Sequence, residues 1–208
     1  HQYADCITSG ISSLSGDSAR RSSGYVDQVI RPLVSHATSS ASSLVWQVES
    51  KTESCEWTFD IVYRVRGDLS HLVIPNRCGI PSRLDNLWQE TCFEVFLRRR
   101  NQPQQYIEFN FSPSGDWAFY RFRDYRKDLE CPAVHEPLSI TTQARDNELT
   151  LGTKIPWSII HDTLPGSQPL DVGLSAILRE QSGDMGYWAI KHPSEKPDFH
   201  HPDSFVAL

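Results

Sequence analysis

The chain contains no run of about 18 apolar residues, the length a membrane-spanning helix needs, so no span is expected. It has no positive excess either. Its 20 Lys and Arg stand against 26 Asp and Glu, a net charge of −6, which leaves no basic footprint for nucleic acid. The one cationic run, Arg98-Arg99-Arg100, is local and follows Glu90 and Glu94, so it reads as a hairpin loop rather than a phosphate site. Cysteine is sparse and odd in number. Cys6, Cys55, Cys78, Cys92 and Cys131 form no CxxC pair, so neither a disulfide framework nor a closed zinc site is indicated. No charged n-region followed by an apolar stretch marks a signal peptide, and with the odd cysteine count a cytoplasmic setting is the default expectation. There is no GxGxxG after a strand, no Walker loop, no HExxH and no GxSxG, and no internal repeat of fixed period.

Also missing is any sustained helical pattern. Short alternating runs stand in its place, separated by turn residues. Residues 1–43 are rich in Ser, Gly and Ala and read as a poorly ordered or loosely packed extension, with Pro32 limiting the only helical spacing. From Leu44 the character changes. Trp57, Phe59, Ile61, Tyr63 and Val65 share one face of a strand ending at Arg66. Further strands are expected over residues 117–122, 138–145, 148–154, 172–179 and 186–191, with a closing piece at 205–208 and one helical turn at 158–164. About ten short strands with turns between them predict an all-β fold, a sandwich or barrel, over residues 44–208.

The stretch Leu87 to Tyr125 stands out. Phe93, Val95 and Leu97 alternate with Cys92, Glu94 and Phe96, and Ile107, Phe109 and Phe111 alternate with Tyr106, Glu108 and Asn110. If the two runs pair, one face is apolar and the other carries Glu94, Glu108 and Asn110, with Trp88 and Trp117 as aromatic neighbours. Such a face is either the solvent side of a sheet or a binding surface. Carboxylates and amides offer acceptors and donors at fixed angles, and aromatic rings offer a flat apolar face, which together suit a sugar. A second concentration of chemistry is the C-terminal run with His192, Asp198, His200 and His201. Its spacing matches no standard metal site, so a structural or hydrogen-bonding role is expected and no metal ligand is assigned. Met185 lies between Asp184 and Gly186 and reads as a turn residue. Asn110-Phe111-Ser112 is a glycosylation sequon inside a strand, where it is expected to go unused.

GDLSHL (67–72), LWQETCFEVFL (87–97), YIEFNFSPSGDWAFYRFRDYR (106–126), YWAIKH (187–192) and PDFHHPDSF (197–205) resemble a bacterial family of DOMON-like proteins, single-domain relatives of family 9 carbohydrate-binding modules. The resemblance runs from about Leu33 to the C-terminus. It implies a two-sheet antiparallel β-sandwich of jelly-roll type and a binding module without established catalysis. In the sugar-binding relatives a tryptophan precedes a carboxylate-bearing strand, and a second tryptophan near the C-terminus completes a clamp. Trp88 with Glu94 matches the first part, and Trp188 the second. Glu108 and Asn110 then fall where polar ligand contacts are expected, with Arg179 a further contact and His192 and His200 at the rim. Haem-binding relatives use Met and His ligands, but Met185 does not sit in a matching place, and calcium-binding loop residues do not map; no cofactor is therefore assigned, with haem and calcium as alternatives.

The expectation is a non-catalytic module for a saccharide or similar small polar ligand. The alternatives are a haem or metal module using His192, His200 and Met185, an enzyme with Glu94 and Glu108 as an acid/base pair, and a protein-interaction module. Neither the ligand nor the oligomeric state is readable.

Overall fold

A computed structural model describes residues 28–39, 45–76, 79–135 and 138–208. Eleven strands are seen there: β1 (Gln28–Ser35), β2 (Gln47–Ser54), β3 (Thr58–Arg66), β4 (Cys92–Arg99), β5 (Tyr106–Phe111), β6 (Trp117–Phe122), β7 (Ser139–Arg145), β8 (Glu148–Pro156), β9 (Leu170–Arg179), β10 (Met185–Ala189) and β11 (Val206–Ala207). One helix, α1 (Trp157–Thr163), follows β8. No helix among the described residues is long and apolar enough to cross a membrane. The strands pair antiparallel in the order β6-β5-β4-β9-β10-β1-β2-β3-β8-β7, with β11 beside β9. The path curls into two packed sheets, an all-β sandwich. One sheet is β7-β8-β3-β2-β1 and the other β6-β5-β4-β9-β10.

Strand alternation explains the core. Phe59, Ile61, Tyr63 and Val65 of β3 and Leu149, Leu151 and Ile155 of β8 face Phe93, Val95 and Leu97 of β4, Ile107, Phe109 and Phe111 of β5, and Leu174, Ala176 and Leu178 of β9 in a single apolar cluster. Tyr63 is the polar exception. Its hydroxyl crosses the sandwich to donate to the Glu94 carbonyl at 2.6 Å, and its ring lies 5.0 Å from that of Phe93. Trp57, expected on the same face as Phe59, is 76% exposed because β3 begins only after it.

β1 lies within the stretch read from sequence as a loose extension. It pairs with β2 over Gln28–Leu33 and with β10 at Val34 and Ser35, and so joins the two sheets. Only Leu33 and one neighbouring position are buried along it or just beyond, so it carries no alternation for a pattern to find. Pro32 sits where β1 has a strand on one side only, which a proline tolerates. Residues 1–27 and 40–44 lie outside the described residues, as do Cys6 and Cys78. Cys55, Cys92 and Cys131 are free thiols.

The arginine run is structural. Arg99 is buried and donates to the carbonyls of Leu164 at 3.0 Å and Gln168 at 2.7 Å; Arg98 lies 4.2 Å from the Phe205 ring; Arg100 meets Asp171 at 3.0 Å. At the turn after β3, Gly67 has φ +142°, and a Cβ there would meet Trp46 Cδ1 at 2.5 Å. Gly67→Ala is therefore expected to cost roughly 1–3 kcal/mol, read as a drop in the urea midpoint. An unchanged midpoint would mean that the turn and Trp46 relax freely.

Candidate functional site

The polar row is not the solvent side of a sheet. Glu94, Glu108 and Asn110 are 4%, 6% and 1% exposed, and both faces of β5 are buried. The C-terminal segment covers part of this second face. Phe199 and Phe205 pack with Phe96, Tyr106, Phe122, Ile177 and Ala189 into a small apolar cluster of their own. His200 stands edge-on to Phe96 and Phe122, at 5.1 and 5.2 Å. Beyond that cover lies a cavity of about 680 Å³, within the range of small-ligand sites. Glu94 and Glu108 line it, and Trp88, Tyr120, Phe122, Tyr187 and Phe199 supply aromatic walls.

Register explains which residues arrive there. Glu94 pairs with Asn110 and Ser175, and Phe96 pairs with Glu108, so the two carboxyl groups sit on one face of adjacent strands, diagonally offset. Glu108 faces Tyr120 across β5 and β6, and Tyr187 faces Ile177 across β10 and β9. Trp88 comes from the short 3₁₀ turn Leu87–Gln89, which follows Asn86 in the left-handed conformation at φ 62°. It is half exposed at the cavity mouth. The hydroxyl of Tyr120 donates to Asp85 at 2.7 Å and ties the loop before this turn to β6.

Each carboxyl group is held by one neutral donor. Ser175 Oγ donates to Glu94 Oε2 at 3.1 Å, and Asn110 Nδ2 donates to Glu108 Oε1 at 2.7 Å. Burial, then the neighbouring Glu108 charge, pushes the Glu94 acid well up, against the Ser175 bond and Arg126. Burial raises Glu108 to about 7, against the Asn110 bond and Arg126. The floor is thus a pair of carboxyls that retain protons near neutrality. His200 is driven down to about 4, by burial first and then by Arg126, with Asp198 opposing. Its 3.7 Å contact with Glu108 is accordingly not an ion pair at neutral pH. The Tyr106 hydroxyl receives the Arg126 backbone N–H at 3.1 Å and lies 2.8 Å from His200 Nδ1. Burial, the largest influence, keeps Tyr106 protonated, with its pKa pushed up to about 12. We assign its proton to the bond with Nδ1, which leaves the imidazole proton on Nε2, the nitrogen nearer Glu108. Arg126 closes the rim and is paired with Asp198 at 2.9 Å.

Of the nine residues expected at a site, Trp88, Glu94, Glu108 and His200 line this cavity, and Asn110 braces it from beneath. The other four do not. Trp188 is 5% exposed and belongs to the main core; its chain neighbour Tyr187 takes the cavity side, because successive strand residues point to opposite faces. Trp117 pairs with Phe111 and turns into the same core, under the Arg83 guanidinium at 5.8 Å. Arg179 is engaged by Glu90. His192 is bonded to the Val34 carbonyl at 2.8 Å and stands edge-on to His36. Met185 opens β10 rather than lying in a turn. Among the described residues, no three His, Cys, Asp or Glu side chains gather as a metal site would require. Sequence reasoning missed Tyr120, Arg126, Ser175, Tyr187 and Phe199. The hairpin could have found Tyr120, since setting Phe111 opposite Trp117 places Glu108 opposite Tyr120.

No family model matches the chain, and no curated protein matches its sequence. Solved structures do resemble it. A protein from Bacteroides uniformis, to which carbohydrate binding is ascribed, has 15% sequence identity and a TM-score of 0.62, over 86% of this chain and 85% of that one. A family 9 carbohydrate-binding module from Caldicellulosiruptor kristjanssonii, solved in complex with glucose, has 13% identity and a TM-score of 0.50, over 88% and 82%. At such identities the likeness is one of fold, and the fold this chain shares with both proteins is the antiparallel β-sandwich.

Proposed function

We propose that this protein is a non-catalytic saccharide-binding module of the DOMON-like kind, with its site in the cavity between Trp88 and the carboxyl pair. The observation that carries the reading is the combination inside one 680 Å³ cavity: aromatic walls, a half-exposed tryptophan at the mouth, and a floor of carboxyl groups braced by Asn110 and Ser175. A pyranose needs these two things together. Its C–H face stacks on an aromatic ring and its hydroxyls need donors and acceptors held in place. A protonated Glu94 donates one hydrogen bond and accepts others; Glu108 accepts, and His200 Nε2 donates. The sandwich shared with two proteins described as carbohydrate-binding is consistent with this reading.

A glycan array probed with the full chain, followed by calorimetry on the best hit, tests it. Binding of at least one glycan in the micromolar to millimolar range is expected, with Tyr187→Ala weakening it by roughly tenfold through loss of a wall of the cavity. A chain that retains no glycan overturns the reading.

One observation favours a second reading. An acid raised to about 7 beside a second carboxyl also raised well above its ordinary value has the form of an acid/base pair for glycoside hydrolysis. It predicts slow turnover of a bound glycan that Glu108→Gln abolishes. Intact glycan after prolonged incubation excludes it.

A further inference from the structure

The cavity's two buried carboxyls have no ion-pair partner of their own, and burial holds them protonated. Glu94 Oε2 has Ser175 and Glu108 Oε1 has Asn110, but Glu94 Oε1 and Glu108 Oε2 have no hydrogen-bond partner among the described residues. Both side chains are more than nine-tenths buried and line the cavity. Among the described residues, no lysine or arginine lies within ion-pair distance of either; the basic group in contact is His200, 3.7 Å from Glu108. Arg126, the one guanidinium on the wall among the described residues, acts on both acids only from a distance and is paired with Asp198, and the imidazole of His200 is neutral. Asp85 adds a third carboxyl to the lining and receives the Tyr120 hydroxyl. Two buried carboxyls without an ion-pair partner are costly to ionise, and a cation with N–H donors arriving from solution would offset that cost. A hydroxyl gives one donor and no charge. An ammonium gives three donors and the missing charge, and the surrounding rings attract it as well. A quaternary ammonium would satisfy the rings but leave the two free carboxyl oxygens without donors.

We propose that the saccharide bound here carries a primary amino group, which docks on the free oxygens of Glu94 and Glu108. The inference rests on the saccharide reading above and names the class of sugar it takes. Binding of the ammonium favours the ionised carboxyls, so the complex forms with release of protons near pH 7. Affinity for the amine then falls as pH drops through the Glu108 value of about 7, whereas a neutral sugar has no such requirement.

The test applies the full chain to matched pyranose glycans that carry, at one position, a free amine, an N-acetylated amine or a hydroxyl. The free-amine form is expected to bind about tenfold or more tightly than its N-acetylated twin, an advantage that Glu108→Gln removes. Calorimetry of the amine at pH 7, in two buffers of different ionisation enthalpy, is expected to show protons released. Hydroxyl or N-acetylated forms binding as well as the amine overturn the inference and leave the saccharide reading standing. No glycan retained in any form overturns both. The comparison among glycans uses the unaltered protein, so it holds whatever a variant does to folding.

Discussion

Glu108→Gln is expected to raise the stability of the folded protein at pH 8 while leaving it nearly unchanged at pH 4.5. The sign follows from where the proton sits. The Glu108 acid titrates near its ordinary 4.5 when unfolded and at about 7 when buried beside Glu94. Between those values the folded state holds more protons than the unfolded one, so stability falls as pH rises. The favourable contribution is complete below about 4.5 and is lost as pH passes through 7. A displacement of that size corresponds to an order of 3 kcal/mol, or roughly 5–10 °C in Tm for a chain of this length. Glutamine keeps the shape and still accepts from Asn110 Nδ2, so the variant removes the ionisation and little else. Melting curves of both proteins from pH 4.5 to 8 check it, and parallel curves across that range would refute it. A protein stabilised by losing one carboxylate retains that carboxylate at a cost, which is the pattern expected where a side chain serves a ligand rather than the fold.

The two tryptophans separate in the same manner. Trp188→Ala is expected to cost about 3–5 kcal/mol, because the ring is buried in the core between the sheets and its removal leaves a cavity. Trp188→Phe should cost less, since the Nε1–H is buried without a partner and its loss relieves an unsatisfied donor. Trp88→Ala should leave Tm within about 2 °C, the ring being half exposed on a short turn. On the proposed role it nevertheless weakens glycan binding by about 2 kcal/mol, roughly thirtyfold. Urea melts and calorimetry on the three variants give the comparison. Loss of binding with full stability in Trp188→Phe, combined with unaltered binding in Trp88→Ala, would place the stacking surface on the wrong face of β10.

The strands were legible because their alternation records which face is buried. β6 and β9 fall within two residues of where the pattern puts them, and the apolar row of Phe93, Val95, Leu97, Ile107, Phe109 and Phe111 is the core. β1 was not legible, because a strand that joins two sheets at an edge buries little and shows no alternation. Trp117 and Trp188 illustrate a subtler failure. Tryptophans near a polar row invite a stacking role, yet a shift of one residue along a strand sends a ring to the opposite face.

By itself the sequence determined the all-β class, suggested that the two carboxylate-bearing strands pair, and offered nine candidates for one site, Trp88, Glu94, Glu108 and His200 among them. Those follow from local periodicity and residue chemistry, which the chain carries at every position. Only the tertiary structure decided that the polar row is buried, that residues 199–205 cover part of that face, and that Tyr187 rather than Trp188 faces the cavity. These depend on strand register and on a segment some ninety residues away from β5 folding back over it, and no local pattern encodes a contact made at that distance.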